Sequence, residues 1–130
     1  MHTKSNLTTR DYQRLTRVHP GIITVLEYAS CITPVPFMVV EGLRTLETQK
    51  RYVAEGKSKT MNSKHLPQKD GYSHAVDLCG IVKATSFTVP VLRAIADVVK
   101  DAANKLDVAI VWGGDWKSFR DMPHFELLRA

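Results

Sequence analysis

Little in this chain points to an oxidising compartment, a membrane or a nucleic-acid groove. Its 130 residues hold only two cysteines, Cys31 and Cys79, and both sit in apolar runs. Such cysteines are expected to be reduced core residues, so no disulfide framework is needed to explain the fold. No run reaches the roughly 18 apolar residues that a membrane span requires. Residues 1–6 carry no apolar stretch and no cleavage signal. No secretory peptide is therefore expected, and synthesis in the cytoplasm is. Repeats, low-complexity tracts and linker-like segments are also missing, which leaves one domain, residues 1–130. A chain of this length buries roughly two thirds of the surface its unfolded form exposes, enough for a core without disulfides.

Acidic residues are the minority. Lysine and arginine number 18 against 13 acids, giving a net charge of +5 and a pI near 9.4. A positive surface favours polyanionic partners. The bases are scattered, with Arg10, Arg17, Arg51, Lys59 and Lys69 among them, and are not interleaved with aromatics as a single-strand groove would be. A solvated basic surface is the plain reading, and no nucleic-acid partner is expected.

Periodicity divides the chain into helices and strands. Tyr12, Leu15 and Val18 recur at helical spacing over 9–18, with Thr8 or Thr9 as a cap. Pro20 suits the first turn of a second helix over 21–31, which the 33–36 segment, with its two prolines, ends. Residues 37–41 read as a strand. Thr45 can cap a third helix that closes at Gly56. The polar stretch 57–73 reads as a loop and 74–78 as a strand. Thr88 and Pro90 open the longest helix, which runs to about Leu106. The β-branched run 108–112 predicts a central strand, and 125–128 a last one. The order predicts an α+β fold in which helices pack on one face of a small, mainly antiparallel sheet.

Chemistry concentrates in the second half. Ser63-Lys64-His65, then His74-Ala75-Val76-Asp77, then Asp121-Met122-Pro123-His124-Phe125-Glu126 place histidines and carboxylates near predicted strand ends. A catalytic zinc ion takes three protein ligands and keeps a fourth position for water. His65, Asp77 and His124 can supply that set if the fold joins them. Asp121 is the candidate base that takes a proton from the water and returns it to the leaving group. Arg44, just after a strand and a glycine, can bind a carboxylate or a developing oxyanion. Glu126 shares a strand face with His124 and can orient its ring. Each residue also has a bland reading: a solvated loop histidine, a strand aspartate paired with a lysine, a turn-starting Asp121, a plain bend at Gly113-Gly114. His2 and His19 read as surface or capping groups.

These motifs, with Trp112-Gly113-Gly114-Asp115-Trp116 ahead of the last, resemble the D-Ala-D-Ala carboxypeptidase/VanY-like zinc peptidases. The likeness is to their phage-endolysin branch in particular, the L-alanyl-D-glutamate peptidases, and runs from Phe37 to Leu127. Glu41-Gly42-Leu43-Arg44 with Gln49 resembles that family's substrate-arginine segment. The resemblance implies zinc bound by His65, Asp77 and His124, with Asp121 as general base and acid. Arg44 would polarise the scissile carbonyl or hold substrate, with Gln49 and Ser63 also on the substrate side. It further implies a helical part, 1–36, preceding a catalytic core, 37–128. The substrate would be the peptide stem of peptidoglycan. The enzyme is expected to be a monomer that waits in the host cytoplasm until a membrane-permeabilising protein releases it. One departure stands out. The family pattern Ser-x-His-x-x-Gly-x-Ala-x-Asp sets seven positions between histidine and aspartate, whereas Asp77 follows His65 by twelve. Residues 67–73 thus contain a five-residue insertion. Extra loop length costs little, so His65 is favoured as the ligand, with His74 the alternative. A D,D-carboxypeptidase releasing terminal D-alanine and a non-catalytic basic wall-binding module are the rival functions.

Overall fold

The computed structural model describes residues 5–58 and 60–128, so His2 and Lys59 lie outside the described residues. Four helices, α1 (Thr9–Arg14), α2 (Pro20–Ile32), α3 (Leu46–Ala54) and α4 (Val89–Lys105), accompany four strands. The strands are β1 (Phe37–Glu41), β2 (Ala75–Gly80), β3 (Ile110–Trp112) and β4 (His124–Leu127). They form one sheet in the order β1-β2-β4-β3, and every neighbouring pair is antiparallel. This is the expected α+β architecture, with one correction. The β-branched run ending at Trp112 is an edge strand, not a central one. Only three of its residues pair, and they pair with β4 alone. Its apolar side chains are needed because Trp112, Val108 and Ile110 pack on the core, and that requirement does not reveal sheet order.

Local chemistry explains the helix starts. Thr8 and Asp11 form a reciprocal capping box at α1. Asp11 also accepts the buried Val39 N–H at 2.9 Å, while Arg14 donates to the Val39 carbonyl at 2.8 Å. One helix turn thus satisfies β1 where no strand flanks it, and losing that acceptor would leave a buried donor costing about 1–3 kcal/mol. Pro20 occupies the first turn of α2, and His19 caps it, its Nδ1 accepting the Gly21 N–H at 2.9 Å. Thr45 caps α3 through the Thr48 N–H. Gly56 lies just beyond that helix at φ 75°, a conformation glycine adopts without strain.

α4 lies against β2 and β3 and packs on α2. Ile22, Leu26, Ile95 and Val99 meet Val39, Val76, Leu78, Phe125 and Leu127 in one core. Strand alternation then decides where the polar residues go. Val76 pairs with Phe125, and the next pair along is Asp77 with His124. Because adjacent strand positions face opposite sides, burying Val76 and Phe125 turns Asp77 and His124 to the other face. Glu41 pairs with Asp77 from β1, so Glu41, Asp77 and His124 form a row across that face.

Candidate active site

A cleft of about 840 Å³ opens on this polar face. Its floor holds His65, Asp77, His124 and Glu126, and Arg44, Ser63 and Asp121 line it as well. His65 Nε2 and His124 Nδ1 each lie 3.2 Å from the same Asp77 oxygen, and the two rings are 5.0 Å apart. Ligands sitting about 2.05 Å from a tetrahedral zinc ion are separated by about 3.3 Å, so the two distances to Asp77 match edges of such a site, and all three ligand atoms lie within 4.8 Å of one another. The outer ring nitrogens are tied back. His65 Nδ1 donates to the Gly42 carbonyl at 2.8 Å, and His124 Nε2 donates to Glu126 at 2.8 Å. In the neutral form that binds a metal, those bonds put each ring's hydrogen on the outer nitrogen and leave the inner lone pairs facing the cleft. Glu126 therefore does what its place on the strand suggested.

The charges are strongly coupled. Burial opposes ionisation of Asp77, but hydrogen bonds and charge from His124 and His65 outweigh it and hold its carboxyl well below the usual range. Burial likewise disfavours the His124 cation, yet its bonds to Asp77 and Glu126 and the nearby carboxylates lift its pKa to about 9. Asp121 moves the other way. Its desolvation and the negative charge of Asp77 raise its pKa, against the pull of His124, His65 and Arg44. Its Oδ2 stands 3.9 Å from His124 Nδ1.

His65 reaches this site despite the extra loop because the loop closes at its neck. The His74 N–H donates to the Lys64 carbonyl, Pro67 bridges Ser73, and Gly71 at φ 84° turns the chain between them. Residues 67–73 turn back on themselves and leave the two ends of the segment adjacent. Ser63 Oγ accepts the His65 N–H and fixes the turn. His74 itself is directed elsewhere: its Nε2 bonds Asp70 at 2.7 Å, and it belongs to a different cluster from Asp77.

Arg44 is held rather than mobile. Its guanidinium bonds Glu41 through Nε and Nη2 and Gln49 through Nη1, and it lies 4.7 Å over the Tyr52 ring. One N–H remains on each terminal nitrogen. Gln49 is fully buried, its oxygen on Arg44 and its amide nitrogen on Ser58 and Thr60. Its polar atoms are thus engaged within the protein, which makes it a support for Arg44.

Gly113 shapes the segment that carries Asp121. Its carbonyl accepts the Asp121 and Trp116 N–H groups. An added Cβ would collide with the Asp121 carbonyl and come within 3.1 Å of His124 Cβ. Gly113→Ala is expected to destabilise the fold by about 3 kcal/mol and lower the thermal midpoint by roughly 10 °C, measurable by calorimetry. An unchanged midpoint would mean that the segment relaxes freely.

Several cleft residues were not assigned a role from the sequence, although Trp116 and Lys64 lie within the motifs noted above. Trp116 stacks obliquely 5.2 Å from His124, and Tyr52, Lys57, Lys64, Phe119 and Arg120 line the walls. Phe119 is 72% exposed with φ 52°, rare for a non-glycine residue. An aromatic residue inside the polar 117–121 stretch was the available hint. Of the two cysteines, Cys79 is buried and Cys31 half-buried.

A family model described as phage L-alanyl-D-glutamate peptidase matches residues 3–128. Among solved structures, the crystal structure of the L-Ala D-Glu endopeptidase ChiX of Serratia marcescens is similar. It has a TM-score of 0.83 and 36% sequence identity, over 93% of this chain and 88% of that one.

Proposed function

The chain belongs to the family of phage L-alanyl-D-glutamate peptidases and is a peptidoglycan peptidase, and from that premise we propose how its cleft cuts the bond. The substrate is the amide joining L-alanine to D-glutamate in the peptide stem. His65, Asp77 and His124 hold a zinc ion, Asp121 is the general base and acid, and Arg44 faces the scissile carbonyl or a neighbouring carboxylate. The observation that carries this reading is the convergence of His65 Nε2 and His124 Nδ1 on one Asp77 oxygen, with both outer nitrogens tied back. Two histidines and a carboxylate suit zinc, and the cluster contains three such groups among the described residues. A structural zinc site is closed by four protein ligands, so this donor set favours catalysis over a static binding module.

Zinc bound there supplies Lewis acidity and makes a water-derived nucleophile available near neutral pH. The protein's own groups do the rest. The Asp121 carboxylate accepts a proton from the attacking water and passes it to the nitrogen of the departing D-glutamate. Its partial burial beside the cluster suits it to both halves of that transfer. Arg44, braced by Glu41 and Gln49, presents its remaining N–H groups in a fixed orientation, so little order has to be gained when negative charge develops. Ser63 keeps His65 in place through its backbone N–H.

The acting form is proposed to be a monomer, complete with the cleft residues named above. They fall between Arg44 and Glu126, which supports 37–128 as the catalytic core and 1–36 as its helical support. No helix among the described residues is long and apolar enough to cross a membrane. The enzyme is proposed to wait in the host cytoplasm until it is released to the wall, where its positive charge aids adhesion to an anionic polymer. Digestion of defined muropeptides with the zinc-loaded protein, followed by mass spectrometry, tests the bond assignment. The expected products carry a new amino terminus on D-glutamate and a new carboxyl terminus on L-alanine. Release of free D-alanine alone would instead establish a D,D-carboxypeptidase.

A further inference from the structure

A second group of the same donor types lies apart from the cleft. His19 stands at the start of α2, Asp70 in the extra loop after His65, and His74 just before β2. Their ligating atoms all lie within 4.8 Å of one another. His74 Nε2 is 2.7 Å and His19 Nε2 3.9 Å from the same Asp70 oxygen. The two rings meet edge to face at 5.2 Å, close to the 5.0 Å between His65 and His124. None of the three lines the cleft.

We propose that His19, Asp70 and His74 form a second binding site for a divalent transition-metal ion of the zinc type. Two imidazoles and one carboxylate are the donors such ions prefer. The 2.7 and 3.9 Å separations bracket the roughly 3.3 Å edge of a tetrahedral site. Small opposed shifts of Asp70, which is exposed on a turn, equalise them. His74 is buried, His19 half-buried and Asp70 exposed. An ion can therefore enter from solvent without opening the core, and water completes its coordination. The site rests on residues that the proposed catalytic reading does not use.

The competing account is a His74–Asp70 hydrogen bond that merely fastens the loop. The two accounts differ at His19. Its Nδ1 accepts the Gly21 N–H, so the hydrogen of the neutral ring sits on Nε2, the atom that faces Asp70. Coordination through Nε2 displaces that proton. A neutral ring must then carry its hydrogen on Nδ1 and release the Gly21 N–H. Ion binding thus exchanges a helix cap for a metal bond, and the second site is expected to be at least tenfold weaker than the cleft.

Titration of the metal-free full chain with zinc chloride tests this, read by native mass spectrometry and by the Gly21 amide signal in nitrogen-15 spectra. Wild type is expected to take two ions per chain, with the Gly21 signal shifting at the second. His19→Asn keeps an oxygen that can cap α2 but lacks the imidazole, and is expected to take one ion and leave Gly21 unmoved. Asp70→Asn should weaken the second ion at least tenfold. His124→Ala should still take an ion at this site, which separates a failure here from a failure of the cleft assignment. Saturation of wild type at one ion in excess zinc, or two ions retained by both His19→Asn and Asp70→Asn, would overturn the proposal.

Discussion

Asp121→Ala is expected to retain its tightly held zinc ion and to lose wall lysis, with kcat on a defined stem peptide falling by about 100- to 10,000-fold. The side chain lies beside the histidine–aspartate cluster without being part of it: Asp121 Oδ2 is 3.9 Å from His124 Nδ1, whereas Asp77 is at 3.2 Å from the same nitrogen. The bonds that hold the 113–124 segment use the Asp121 backbone, its N–H to Gly113 and its carbonyl from His124. Truncation therefore removes a proton acceptor while leaving the loop's hydrogen bonds and the three donors intact. Zinc content after desalting, measured beside single-turnover rates, checks both halves. Full lysis by the variant would remove Asp121 from the chemistry.

His124→Ala is expected to lose the tight ion and the activity together. The ring supplies the inner nitrogen facing Asp77 and is the partner that Glu126 orients. Loss of only the outer partner of a metal-binding histidine commonly weakens binding by about 10–100-fold, so loss of the ring itself should exceed that. Added zinc should not restore lysis. The contrast between the two variants, one inactive but loaded and one inactive and empty at the cleft, distinguishes a base from a ligand. An Ala variant at His124 that kept both tight zinc and lysis would refute the proposed ligand set.

What the chain reveals in one dimension follows from how local each cause is. Thr8, Pro20 and Thr45 act within a few residues of themselves, and the helices begin where they indicate. His19 was legible as a capping group for the same reason. His124 and Glu126 were legible as sharing a face because strand alternation fixes side-chain direction, whereas the register that sets Asp77 opposite His124 appears only in the folded sheet. The edge position of β3 was not legible, since sheet order depends on how α4 and α2 pack across the whole chain. Nor was the burial of Gln49, whose partners Ser58 and Thr60 come from a loop with no periodic signal. The small entropic cost of loop length makes it unsurprising that His65 sits beside Asp77 across a twelve-residue interval. The bond between Lys64 and His74 at the loop's neck appears only in three dimensions. The His19–Asp70–His74 group joins two distant segments and could not be read from either.

The direct pairing of Asp77 with His124 has a wider consequence. Sliding β4 by a single residue would bring Phe125 to the wet side and send the imidazole into the oily interior. No partly misaligned sheet can therefore be stable yet feebly active. Selection for a well-packed interior and selection for bond cleavage act on the same alignment, so enzymatic output serves as a direct gauge of correct folding in this small protein.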